Sequence, residues 1–285
     1  MKKNLLVVGL IMLCTSVFLL FVFIYKQGID DQAPTIHFSD EVPAFSALDS
    51  REMFLKGVTA RDDVDGDVTD SVVVESVQLV DGNGTVRVTY AAFDATGNAT
   101  KAVRKAKLTD YNPPTFSLNR SLTFPDNAEF NVSSMFQAED MLDGDITHRV
   151  RVTSLDDASI LDLGTHQLEV RVSNSLGDTV RLVIPVEVYA GGTYEATLSL
   201  TDYLVYLPVG GELNAKNYLD TYTRDGSISL RDGLPEGYTL KMNSNVQPDV
   251  PGVYTVEYRV TQTIGSGIYA RDYTGYAKLI VVVEG

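Results

Sequence analysis

Two stretches of this 285-residue chain concentrate carboxylates in a way that could do chemistry. Asp62, Asp65 and Asp67 surround Gly66, and Asp140, Asp143 and Asp145 surround Gly144. Three carboxylates within six residues supply the hard oxygen ligands that Ca²⁺ selects, so these six aspartates are the candidate metal ligands and Ca²⁺ the candidate cofactor. The spacing is not that of an EF-hand loop, which wants acids at alternate positions before its Gly and a bidentate Glu at position 12. A local account competes with calcium and is the favoured one. Asp side chains accept bonds from neighbouring backbone N–H groups, Gly66 and Gly144 supply a positive φ, and the Thr that follows starts a strand.

The second chemical signal is aromatic. Of 15 tyrosines, 11 lie between Tyr194 and Tyr276. Tyr offers rigid amphipathic contact area, which makes Tyr269, Arg271 and Tyr273 the candidate binding residues, in a loop or hairpin between the last two strands. The competing reading is that Tyr favours strands and packs half-buried.

Other chemistries find little support. His37, His148 and His166 sit in unmatched contexts and make no Ser/His/Asp arrangement. Cys14 is the single cysteine, so no disulfide, zinc site or thiol nucleophile exists outside the N-terminal apolar run. No Gly-rich phosphate loop or metalloprotease helix occurs. A net charge of −15 repels phosphate backbones and excludes nucleic acid as a partner. The chain is therefore read as non-enzymatic.

What positions these residues is a repeat. Ala60-Arg-Asp-Asp-Val-Asp-Gly-Asp-Val-Thr69 returns 78 positions later as Ala138-Glu-Asp-Met-Leu-Asp-Gly-Asp-Ile-Thr147. Each copy runs into segments of period-two alternation, such as Val86–Phe93 and Leu168–Ser173, followed by Gly-containing turns. Strand-rich units of about 80 residues punctuated in this way read as β-sandwiches. A third, divergent copy holds Pro251-Gly-Val-Tyr-Thr-Val-Glu-Tyr and closes with Ala277-Lys-Leu-Ile-Val-Val-Val, but its acidic element is reduced to Arg224-Asp-Gly-Ser227.

These motifs resemble the bacterial immunoglobulin-like repeats of Gram-positive surface proteins, with an Asp-Gly-Asp-(Val/Ile)-Thr element, a Gly-x-Tyr-x-Val-x-Tyr strand and an Asp-x-x-Gly-Asn turn. The match is closest in the first copy. The resemblance implies an all-β chain of tandem Ig-like sandwiches: repeat 1 over 32–111, repeat 2 over 112–191 and a Tyr-rich third module over 192–285. It also implies a display or adhesion role without inherent activity.

Residues 1–31 remain. Leu5 to Tyr25 carry no formal charge, long enough to predict a transmembrane helix rather than a cleaved signal peptide. Leu13 stands before Cys14 where a lipidation motif has a small residue. Lys2 and Lys3 place the N-terminus in the cytoplasm by the positive-inside bias and the remaining domains outside the cell. The expected function is a membrane-anchored surface stalk, adhesion or ligand-binding module for a protein or carbohydrate. The alternative is a non-catalytic scaffold or accessory subunit of a cell-envelope assembly.

Overall fold

The computed structural model describes residues 2–27, 30–39, 41–156, 162–192 and 195–285, with the side chains of 2–6 and 24–27 left out; Tyr194 and the N-terminal lysines discussed above thus lie outside the described side chains. Strands make up 49% of the protein, and two compact units divide it, Met1–Tyr111 and Asn112–Gly285.

The expectation of a membrane span is corrected. Lys2–Gln27 form a single helix. Among the described residues no helix is long and apolar enough to cross a membrane. The membrane as partner, and the cytoplasmic and extracellular assignments built on the span, fall with it.

In the first unit, alternation of apolar and polar residues produces two sheets. Thr35–Phe38, Val58–Asp62 and Gly66–Asp67 form one; Ala44–Phe45, Ala99–Leu108, Thr85–Phe93 and Val73–Leu79, in that order, form the other. Val86, Val88 and Tyr90, two residues apart on one strand, point the same way and are fully buried. Tyr90 meets Phe38 of the opposite sheet at 5.4 Å between ring centroids. Its hydroxyl donates to the Phe54 carbonyl (2.7 Å) and accepts from Arg104 (3.1 Å); burial pushes its pKa up. Arg104, itself buried, also donates to the carbonyls of Phe54 and Lys56, so a cation in the core is held by three oxygens. The connection between those carbonyls and the next strand turns at Gly57, whose φ of 71° and close approach to Ser39 leave no room for a Cβ.

The second unit begins with the same plan. Thr115–Leu118, Phe136–Asp140 and Gly144–Asp145 make a three-stranded sheet; Arg151–Ser154, Gly164–Ser173, Thr179–Tyr189 and Thr123–Pro125 make a four-stranded one. A seven-stranded sheet follows, built around Gly252–Ile264 paired antiparallel with Arg271–Glu284. Leu204–Pro208 joins it parallel to the last residues of Arg271–Glu284.

The segment from 192 onward has its own core around Leu198, Tyr222, Tyr258 and Leu279. It also contributes Leu204, Ile280 and Val282 to the core of residues 116–186, where they pack with Phe116, Phe136 and Ile184. Polar contacts follow the same seam. The Phe116 amide donates to the Tyr206 hydroxyl (2.7 Å), whose pKa burial pushes up to about 12, and Tyr276 donates to Glu187 (2.8 Å). Lys278, nearly buried, is neutralised by Glu187 and Glu257. Residues 112–285 therefore form one packed body.

Candidate functional site

The acidic turns are built alike. The strand Val58–Asp62 pairs with Gly66–Asp67 through Asp62 opposite Gly66, and Phe136–Asp140 pairs with Gly144–Asp145 through Asp140 opposite Gly144. Gly66 and Gly144 take φ values of 79° and 67°, which the tight reversal requires and a side chain resists. Asp62 Oδ1 accepts from the amides of Val64 (2.8 Å) and Asp65 (2.9 Å); Asp140 Oδ1 accepts from Leu142 and Asp143 (3.0 Å each). Asp67 and Asp145 each receive the amide of the Thr two residues on, at 3.0 and 2.9 Å, and the bonds from Thr69 and Thr147 hold their carboxyls below the usual range. The Thr hydroxyls in turn accept from the amides of Ala60 and Ala138. The Asp-Gly-Asp-(Val/Ile)-Thr pattern thus folds its own turn, and Asp67 and Asp145 belong to that turn alone.

Asp62, Asp65, Asp140 and Asp143 keep a second oxygen that the turn does not consume. Asp65 Oδ2 accepts from the Ala95 amide and Asp143 Oδ2 from the Ser175 amide, both at 2.7 Å, which ties each acidic turn to the neighbouring hairpin. Beyond that point the two sites part. In the second unit Asn174 Nδ2 donates to Asp140 Oδ2 (3.0 Å) and Arg149 pairs with Asp143 (2.5 Å). Burial pushes the Asp143 carboxyl up, but the bonds from Ser175 and Arg149 outweigh it and hold the group low.

In the first unit Asp94 stands where Asn174 does and Ser71 where Arg149 does, and among the described residues no side chain takes over the bond to Asp62 or the ion pair to Asp65. Asp94 is occupied by its own hairpin, taking bonds from Asn98 and Thr96. Asp62 is 3% exposed, and its Oδ2 has no hydrogen-bond partner. A charged oxygen left buried and unpaired costs about 1–3 kcal/mol or more.

Asp30, three residues beyond the end of the N-terminal helix, completes the group. Its main-chain oxygen accepts from Asn98 (3.1 Å) and Thr96 (3.4 Å), its Oδ1 from the Gln32 amide (3.0 Å), and its Oδ2 is buried without a partner. One carboxylate oxygen from each of Asp30, Asp62 and Asp65 lies within 4.8 Å of the others. The Gln32 amide pulls the Asp30 carboxyl down, but burial and the charges of Asp62, Asp94 and Asp63 outweigh it, and its pKa is raised. Asp30 lies 32 residues from Asp62 in sequence, so no local pattern marks it.

The aromatic candidates are divided by the structure. The strands Gly252–Ile264 and Arg271–Glu284 form one long hairpin, with Tyr269 in its tip and Arg271 and Tyr273 on the returning strand. Tyr273 is half-buried under the Arg224 guanidinium, 4.0 Å from its ring centre, and its carbonyl accepts from the Tyr222 hydroxyl. Tyr222 and Tyr258 are core residues. Among tyrosines with described side chains Tyr269 alone is exposed, at 83%, beside Ile268 at 92%.

His166 is buried. Its Nε2 lies 2.7 Å from the Asp162 carbonyl and its Nδ1 3.5 Å from Asp156, so both ring nitrogens serve the local structure.

No protein-family model matches the chain, and no curated protein does. Solved structures with a likeness include CBM51-2 with INT domains of ZmpB from Clostridium perfringens, in complex with GlcNAc: 14% identical, TM-score 0.22, covering 88% of this chain and 42% of that one. The chain thus spans less than half of that neighbour's length. Mouse cadherin-23 EC22-24 is 11% identical with a TM-score of 0.21, covering 89% of this chain and 99% of that one. Protocadherin gammaB7 EC3-6 is 10% identical with a TM-score of 0.20, covering 90% of this chain and 67% of that one.

Proposed function

We propose that the chain is a non-catalytic β-sandwich binding module that meets a protein or carbohydrate through the tip of its long C-terminal hairpin. The observation that carries this reading is the exposure of Ile268 and Tyr269 at that tip. Adjacent apolar and aromatic side chains standing fully in water are the kind of anchor that a partner's pocket buries. The support beneath them is rigid. Thirteen residue pairs join the two strands, from Gly252 opposite Val283 to Ile264 opposite Arg271, and the root of the hairpin from Ala277 to Val283 is buried. A pre-ordered finger loses little conformational freedom on binding.

The test uses the protein on beads, offered to an array of immobilised glycans and to beads carrying a second copy. Retention that the double substitution Ile268→Ser, Tyr269→Ala lowers at least tenfold is expected; retention that is unchanged, or none at all on either surface, counts against the reading. The scaffold alternative draws on a different observation, the exposed apolar side chains of the helix, among them Leu10, Leu13, Phe18 and Leu20. Association lost through Leu13→Glu and Phe18→Glu, with the hairpin intact, would favour it.

A further inference from the structure

We propose that Asp30, Asp62 and Asp65 form a calcium site in the first unit. The requirement for a ligand comes from Asp62: the side chain is 3% exposed, one oxygen is saturated by two amides, the other is buried without a hydrogen-bond partner, and the carboxylate lies within 4.8 Å of those of Asp30 and Asp65. Asp30 presents a second buried oxygen in the same condition. Two such oxygens facing a third carboxylate repel one another unless something positive lies between them, and among the described residues no Lys or Arg pairs with any of the three.

Geometry and donor chemistry choose the cation. All three candidate ligands are carboxylate oxygens, the hard donors that suit Ca²⁺, and none is the nitrogen or sulfur that a transition metal prefers. Calcium takes oxygens at about 2.3–2.6 Å, so ligands on opposite sides of the ion stand about 5 Å apart, and the 4.8 Å span of the cluster falls within that sphere. Magnesium needs a tighter octahedron at about 2.1 Å and sheds its water reluctantly. Six to eight ligands are usual for calcium, so water completes the shell on the exposed side, where Asp65 lies.

The second unit is the internal control. The same turn there has both outward carboxylates satisfied by Asn174 and Arg149, a guanidinium doing for Asp143 what an ion would do for Asp65. The site also reaches beyond the turn. Asp30 directly precedes the first strand's lead-in, and its carbonyl is held by Asn98 and Thr96, so an ion there would join the start of the sandwich to two of its loops.

The experiment is calorimetric titration of the full chain, stripped with chelator, with calcium chloride and in parallel with magnesium chloride. The expected result is one calcium per chain, bound at least tenfold more tightly than magnesium, with a rise in the melting midpoint. Asp30→Asn and Asp65→Asn should each weaken binding at least tenfold, whereas Asp143→Asn should leave it unchanged. Asp30→Asn keeps the oxygen that Gln32 needs, and its melting curve without calcium verifies that it folds; Asp65→Asn serves the same purpose independently. No uptake up to about 5 mM, above the weakest calcium affinities of roughly 10⁻³ M, overturns the proposal. So does uptake that Asp30→Asn and Asp65→Asn leave intact.

Discussion

The turns Asp62–Asp67 and Asp140–Asp145 have the same backbone, the same amide-to-carboxylate bonds and the same Thr tie, yet their outward oxygens meet opposite fates. Two sequence differences account for this: Asp94 against Asn174, and Ser71 against Arg149. The lesson is that each aspartate has two separable tasks. The oxygen turned to the backbone fixes the fold, and the oxygen turned away decides whether the site is closed by the protein itself or left for a ligand. The third segment extends the series: its strand Leu219–Thr223 ends on Thr223 where the others end on Asp62 and Asp140, and Arg224 answers Asp225 while stacking on Tyr273.

The sharpest way to break this comparison is Asn174→Ala. Asp140 is 3% exposed and would lose its donor, and the amides of Leu176 and Asp178 would lose their acceptor. A loss of about 2–3 kcal/mol is expected, read as weakened hydrogen-exchange protection of Phe136–Asp140, with no change in calcium uptake. Protection equal to wild type would show that Asp140 needs no partner, and the contrast would collapse.

A smaller effect is expected from the converse change, Asp94→Asn. An amide at this position can donate to Asp62 Oδ2 as Asn174 does to Asp140, and its oxygen keeps the Asn98 backbone amide, while the bond from Asn98 Nδ2 to the second carboxylate oxygen is given up and offsets part of the gain. The calcium-free protein should gain about 1 kcal/mol in urea unfolding and its response to calcium should shrink. A calcium response as large as in wild type would mean that the neutral side chain does not close the site.

The smallest effect concerns acid. Asp143 is held below the ordinary carboxyl pKa of about 3.9, so the folded state binds its proton less readily than the unfolded state. Its contribution is therefore complete above about pH 4 and is lost as the pH falls through the lower, folded value. Arg149→Gln should flatten that acid limb by less than about 1 kcal/mol, because the guanidinium is partly exposed. Melting midpoints at descending pH, compared for the two proteins, measure the difference.

Much of this arrangement is legible in the sequence because it is local. The period-two runs, the glycines at 66 and 144 and the Thr after each Asp-Gly-Asp all act within a few residues, and the structure places them where those spacings require. The roles of Ser71, Arg149, Asp94 and Asn174 become readable only when one copy is laid against the other. Asp30 is not readable at all: it reaches the turn through space, by a chain path that the alternation pattern does not describe. Tyrosine content misleads for a related reason, since Tyr222 and Tyr258 give their rings to the core and only Tyr269 gives its ring to solvent. The apolar run at the N-terminus is the clearest overreach: it predicts a membrane span, and among the described residues no helix is long and apolar enough to cross a membrane.

The sharing of Leu204, Ile280 and Val282 with the core around Phe116 and Ile184 has a consequence for biosynthesis. A chain emerges from its N-terminus, and domains generally fold as units in that order. The first unit has all its strands by Leu108, so its sandwich can close while the remainder is still being made. Residues 112–191 cannot complete their interior until the strand that carries Ile280 and Val282 has arrived, some 90 residues later. During that interval Phe116, Phe136 and their neighbours lack part of their cover, which makes the nascent second unit the stage most in need of a chaperone.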